Sequence, residues 1–255
     1  MQKRNTPIFI LLLLLGASTT LFSQRAEYTT NEGTILAYNL SYGFQMPGAD
    51  LQERFGNNIN VGSGLQLFLP SNWMIELEGQ YLFGQKVKLD VLAPLRGPEG
   101  YIFADNGGIS DVTLRERGLW VGASVGKLFS LLPQNPRSGI RTSIGMGLLQ
   151  HKIRIQDEPQ VAVSALSSEH KKGYDRLSNG LAIKEFIGYQ HFSRDRRINF
   201  FVGLEFIQGF TKNRRDWNTD EMSREEGSRI DLLYGFRAGW ILPFWLGEQG
   251  ENIYY

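Results

Sequence analysis

Three histidines, His151, His170 and His191, are the only imidazoles in a chain of 255 residues that has no cysteine. Acid-base or nucleophilic catalysis would draw on such groups, each with a serine or carboxylate within hydrogen-bond reach. Ser167 and Ser168 are the loop hydroxyls that a His151 base would have nearby in sequence. His151 and His191, however, fall near opposite ends of the segments described below. They cannot share a site if those segments span about 25 Å. Three scattered imidazoles are a poor ligand set for a metal, and the lack of cysteine excludes disulfides and thiolate sites. The glycines sit at strand spacing, and no Gly-Lys-Ser/Thr follows them as a phosphate loop requires. These observations predict no catalytic, cofactor or metal site. The remaining residues with chemistry to offer are isolated charges inside apolar alternation: Glu76, Glu78, Arg141, Glu205 and Arg237.

The elements that position those charges are read from a period of two. Asn58-Ile59-Asn60-Val61-Gly62-Ser63-Gly64-Leu65-Gln66-Leu67 puts Ile59, Val61, Leu65 and Leu67 on one face and Asn, Gly and Gln on the other. The same pattern predicts eight strands: 34–46, 58–69, 73–88, 114–129, 139–154, 180–192, 198–211 and 229–244. In the sixth, the adjacent Lys184 and Glu185 force one charge onto the apolar face unless a bulge shifts the register. A soluble lipocalin-type barrel would put large apolar residues inside. Here the second face carries glycines, amides and charges, so the apolar face suits lipid and the polar face a lumen. The fold class is all-β: an eight-stranded antiparallel up-and-down transmembrane β-barrel.

The connections alternate. Short ones are 70–72, 130–138 and 193–197; long ones are 47–57, 89–113, 155–179 and 212–228. Short periplasmic turns and long outer loops mark bacterial outer-membrane barrels, and an even strand number leaves both termini periplasmic. The N-terminus reads as a secretory signal: basic Lys3-Arg4, an apolar run from Ile8 to Ala17, and a polar exit to Ser23. That run is shorter than the ~20 residues a spanning helix needs. The organisation expected is a signal peptide at 1–23 and one barrel at 24–255 with a short C-terminal tail. Removing Lys3 and Arg4 from the 27 basic side chains leaves 25 against 26 acidic ones, so the charge balance offers no argument for nucleic acid as a partner.

Eight strands leave an interior just wide enough for side chains, whereas porins need about 16. The inward charges of both signs therefore read as a self-satisfied plug, with Glu205 and Arg237 as diagonal neighbours on adjacent strands and Glu76 paired with Arg141 across the narrow lumen. Arg237, Gly239, Leu242 and Phe244 in the last strand look like the C-terminal recognition signal of outer-membrane barrels, although eleven residues follow Phe244. The mature chain thus resembles the small OmpA/OmpX-type barrels in architecture. Leu149-Gln150-His151-Lys152-Ile153, the run Lys171 to Gly180 and the terminal Tyr254-Tyr255 resemble an uncharacterised Bacteroidota outer-membrane barrel family. That resemblance implies a non-enzymatic structural or accessory subunit of an envelope complex, such as outer-membrane protein assembly or secretion. The implied partners are outer-membrane lipid and lipopolysaccharide, the barrel-assembly machinery during insertion, and an envelope protein met through the long outer loops. Those loops carry apolar runs, Val91-Leu92-Ala93-Pro94-Leu95 and Tyr101-Ile102-Phe103, suited to protein docking or to covering the barrel mouth. The charges of the fourth loop read as solvated. The rival reading is a barrel-embedded enzyme that modifies lipid A or phospholipid.

Overall fold

A computed structural model describes residues 33–157, 163–193 and 196–246. The expected signal peptide, the tail after 246, and Val161 and Ala162 of the third loop lie outside the described residues. The elements in chain order are β1 (Thr34–Ala49), α1 (Asp50–Arg54), β2 (Asn58–Phe68), β3 (Trp73–Gly84), β4 (Ile102–Phe103), β5 (Ile109–Ser110), β6 (Thr113–Leu132), β7 (Asn135–Gln156), β8 (Ser178–Phe192), β9 (Asn199–Asn213) and β10 (Arg229–Leu246). Eight of these strands close an antiparallel ring, β1-β2-β3-β6-β7-β8-β9-β10, and β10 pairs back onto β1 from Thr34↔Leu246 to Ala49↔Asp231. Closure removes every sheet edge, which is what allows a sheet to cross lipid.

The register fixes the shape of the ring. Paired residues followed once around it run Leu36, Leu67, Ile75, Val125, Ile144, Glu185, Phe206 and Tyr234, and return to β1 at Met46. That stagger of ten residues over eight strands tilts the strands by about 40°. The alternation settles which face is which. Leu77, Met146, Leu148 and Phe236 are 60–64% exposed, while Glu76, Gln80, Arg141 and Arg237 are at most 1% exposed. Apolar side chains outside and polar ones inside is the polarity of a barrel solvated by lipid.

The inward glycines have a specific use. A Cβ on Gly122 would lie 2.7 Å from the Trp120 ring, and one on Gly188 or Gly203 would lie 2.8 or 2.7 Å from Phe186. These glycines make room for large aromatics laid across a narrow lumen.

Several boundaries differ from the sequence reading. β3 ends at Gly84 rather than 88, because Val87 instead bridges Phe55 and carries the chain over the mouth. The connection expected over 130–138 shrinks to Pro133-Gln134, with β6 and β7 zipped past a register shift at Ser130–Leu132. β4 and β5 form a two-stranded ribbon in the second outer loop that the pattern did not signal. In β8 no bulge intervenes: Lys184 points inward and Glu185 outward.

Candidate functional site

The centre of the lumen holds three carboxylates and three cations: Glu76, Glu78 and Glu205 with Arg141, Lys184 and Arg237, all at most 5% exposed. Strand alternation places each of them inward. Arg141 Nη2 is 2.7 Å from Glu76 Oε2, and Glu76 Oε1 accepts from Asn39 Nδ2 at 3.0 Å and Gln66 Nε2 at 2.7 Å. Arg237 Nη1 is 2.8 Å from Glu205 Oε2; Arg237 also pairs with Glu78 and donates to Ser41 Oγ. Glu205 accepts further from Gln45 Nε2 at 3.1 Å and Gln80 Nε2 at 2.9 Å. Lys184 pairs with Glu78 and lies 4.0 Å from Glu205. Equal numbers of opposite charges, each with several partners, are what a low-dielectric interior requires.

Aromatic faces complete the packing of the cations. The Arg141 guanidinium sits 4.9 Å from the Phe201 ring and 5.1 Å from Phe186, and Lys184 Nζ is 4.5 Å from Trp120. Below this tier, Ile35, Ala37, Phe68, Met74, Phe192 and Ile241 form an apolar layer with Phe186 and Phe201. The lumen is therefore more oily than the sequence suggested. It has a charged middle between apolar ends.

The outer end is closed by a folded cap. Leu51 and Phe55, from α1 and the residue after it, pack with Val91, Leu92, Ile102, Leu166 and Tyr174 onto Trp120, Leu149 and Ile153 of the wall. The apolar runs of the second loop thus cover the mouth, while Tyr101 and Phe103 remain half exposed. Fourth-loop carboxylates expected to be solvated hold the cap instead. Asp220 and Glu221 lie 2.6 and 2.8 Å from Arg176, and Glu225 gathers Arg54, Arg176 and Arg229. Burial alone would push Glu225 up, but Arg54, Asn213, Arg229 and Arg176 together hold it below the ordinary carboxylate value. Burial, followed by the Arg229 charge, lowers Arg54.

The histidines are separated as expected, and each has a local partner. Under the cap, His151 Nε2 lies 2.8 Å from Asp231 Oδ2, which also bonds Thr211, and Phe55 packs edge-on against the imidazole at 5.7 Å. Ser167 bonds His170 at 3.0 Å, not His151. His191 lies near the inner end beside Ser138 and Tyr189. The His151–Asp231 pair has the parts of a proton-transfer site, yet both side chains are at most 1% exposed beneath Phe55.

Of the assembly-signal residues, Arg237 and Gly239 face the lumen side of β10, and Leu242 and Phe244 face outward. The five charges singled out from sequence converge in one network. Lys184 and the amides of Asn39, Gln45, Gln66 and Gln80 were missed as members. Their signal was parity: each lies an even number of residues from an inward glycine or charge on its own strand.

A closed ring with apolar residues outward on all eight strands, around a charge-balanced interior, defines an eight-stranded antiparallel up-and-down transmembrane β-barrel. Solved structures similar to this chain are small barrels of the outer membrane. Ail, the attachment invasion locus protein of Yersinia pestis, matches with a TM-score of 0.43 at 10% identity, over 82% of this chain and 99% of its own. Neisserial surface protein A matches with 0.45 at 10% identity, over 84% and 100%. The outer membrane protein OprG of Pseudomonas aeruginosa matches with 0.37 at 11% identity, over 87% and 100%. No protein-family model and no curated protein matches the sequence.

Proposed function

We propose that this protein is an integral bacterial outer-membrane barrel that conducts no solutes and catalyses no reaction, and serves as a structural or accessory subunit of an envelope complex. The observation that carries this reading is the blocked lumen. The six-charge network fills the middle, with an apolar layer beneath it and the cap above. An eight-stranded ring has an interior just wide enough for side chains, which supports a closed lumen. The inverted polarity supports the membrane. The short Pro133-Gln134 and Pro70–Asn72 turns at one end and the cap at the other support both termini being periplasmic.

Function then rests on the outer surface. On the outer flank a cleft of about 970 Å³ joins outward apolar residues, Phe44, Ile59 and Val61, to Lys86, Lys88, Arg115 and Arg117, and has no acid in its lining. Apolar wall below and cations above suit the acyl chains and phosphates of outer-leaflet lipid, including lipopolysaccharide. The Bacteroidota-like segments favour an envelope-machine subunit, with the exposed Tyr101 and Phe103 of the second loop available to a protein partner.

Purification in mild detergent tests the reading. A discrete co-purifying protein, with unchanged lipid A mass in cells overproducing the barrel, is the expected outcome. A monomer that alters the lipid A mass spectrum would instead support the enzyme reading, with His151 and Asp231 as its base pair.

A further inference from the structure

Near the outer rim, β6 and β7 set cation against cation. Arg115 is paired across the strands with Arg154, and Arg117 with Lys152. All four side chains point outward, while Glu116 between the arginines points into the lumen. Like charges directly opposite each other on a sheet are destabilising. Among the described residues no ion pair reaches any of the four. Arg117 packs on the Phe83 ring at 5.4 Å and donates one bond to Glu116 O, which leaves its charge without a counter-ion. The flank is distinct: the outer ends of β1, β2 and β10 turn the uncharged Met46, Ile59 and Ile230 outward.

These cations border a second cleft, of about 410 Å³, between the wall and the third outer loop. Arg117, Lys152 and Arg154 line it from the wall, and Lys171, Lys172 and Arg215 from the loops. The loop cations already have partners: Lys171 pairs with Asp157, and Lys172 with Glu169. Asp175, the acid in the lining, is taken by Arg215 through bonds of 2.8 and 2.6 Å. The unmatched charge is therefore that of the three wall residues. Arg117 also lines the cleft of about 970 Å³ on its other side, so the two clefts flank one guanidinium.

Directly below, the same two strands turn apolar. Leu119 and Val121 of β6 and Leu148 and Met146 of β7 are exposed. Further down, a groove of about 380 Å³ opens where Ala123 and Gly145 leave space between Ile75, Val125, Ile144 and Met146. Ala123 is six residues from Arg117, about 20 Å along the strand. That is within reach of a headgroup and its acyl chain.

The geometry points to a phosphate-bearing outer-leaflet glycolipid on this flank, its phosphate held by Arg117, Lys152 and Arg154 and its acyl chain lying in the groove at Ala123. This rests on the reading of the protein as an integral outer-membrane barrel whose outer flank meets lipopolysaccharide, and it assigns the residues that select that lipid. Guanidinium groups match phosphate oxygens with paired N–H donors, and an anion between Arg117 and Lys152 turns their repulsion into attraction for it. A soluble anion would use the cleft alone; a lipid uses the cleft and the groove together.

The experiment is a lipid titration. Wild type refolded into detergent is mixed with purified lipid A, dephosphorylated lipid A or inorganic phosphate, and complexes are measured by native mass spectrometry. Lipid A is expected to bind at least tenfold more tightly than its dephosphorylated form, and inorganic phosphate far more weakly than either. Arg117→Gln with Lys152→Gln should lower lipid A binding at least tenfold, while Lys212→Gln on β9 should bind as wild type. Lys152→Glu gives Arg117 a cross-strand partner, so it should keep or raise the urea midpoint and still lose lipid A. Equal affinity for the two lipid forms, or undiminished lipid A binding in Lys152→Glu, would overturn the proposal. So would inorganic phosphate or a sulfated oligosaccharide binding as tightly as lipid A, which would make this a site for soluble anions. The slower migration of boiled than unboiled samples reports the closed barrel independently. Its absence in wild type would refute the membrane barrel itself, whereas its presence without lipid A binding would refute this site alone.

Discussion

Arg237 Nη1 lies 2.8 Å from Glu205 Oε2 in the middle of the lumen, and the same guanidinium reaches Glu78. The two residues are not directly paired: Glu205 stands opposite Gly235, and Arg237 opposite Gly203. They are diagonal neighbours on adjacent strands, and the glycines beside them leave room for the long side chains to meet.

Truncating one member strands the other in a low-dielectric interior. Arg237→Ala is expected to cost about 3–5 kcal/mol. The double variant with Glu205→Ala should cost less than the sum of the singles, read from urea midpoints of protein refolded into detergent. Refolding in vitro separates stability from the place of Arg237 in the assembly signal. Additive losses would show that the two are uncoupled.

The plug predicts electrical silence. Pure protein in planar bilayers should show no stable large conductance step. Reproducible porin-like steps would mean that the six-charge tier and the apolar layers do not seal the lumen.

The cap should loosen in acid. Glu225 is held below its ordinary value of 4.5 by Arg54, Arg176 and Arg229. A depressed carboxylate stabilises the folded state above its unfolded value, and that contribution is lost as pH falls below about 4.5 towards the folded value. Protection of amides across residues 214–228, relative to their intrinsic exchange rate at each pH, should be high at neutral pH and fall below about pH 4.5, before protection of the barrel strands falls. Equal protection across that range would show that the cap does not depend on Glu225.

Phe55→Ala removes the ring that covers His151 and should cost about 3–5 kcal/mol, as for a fully buried phenylalanine. The loss should fall on the cap. Protease cleavage in the outer loops should rise, while the boiled-versus-unboiled gel shift of the barrel persists. Simultaneous loss of both would make Phe55 part of the barrel's own stability.

The ring was legible in the sequence because period-two alternation acts locally. Leu65, Leu67 and their inward neighbours declare their faces within a few residues. The diagonal meeting of Glu205 and Arg237 followed from strand order and loop length. The cap was not legible in this way. α1 has only five residues, and Phe55, Val91 and Tyr174 meet from three separate loops with no shared period. Lys184 and Glu185 were undecided because adjacent charges give the same alternation score in either register. Only pairing with Ile144 and Phe206 fixes which one meets lipid.

The central claim is that the apolar face meets lipid and the polar face is sealed inside. The chain has no cysteine, so single cysteines can report it directly. A fluorophore on Leu77→Cys or Phe236→Cys in vesicles should be quenched by lipid-soluble agents and protected from aqueous iodide. A thiol at Ser41→Cys, on the lumen face, should react with maleimide only after unfolding. Iodide quenching at Leu77→Cys and Phe236→Cys, with ready labelling of Ser41→Cys in the folded protein, would contradict the membrane barrel.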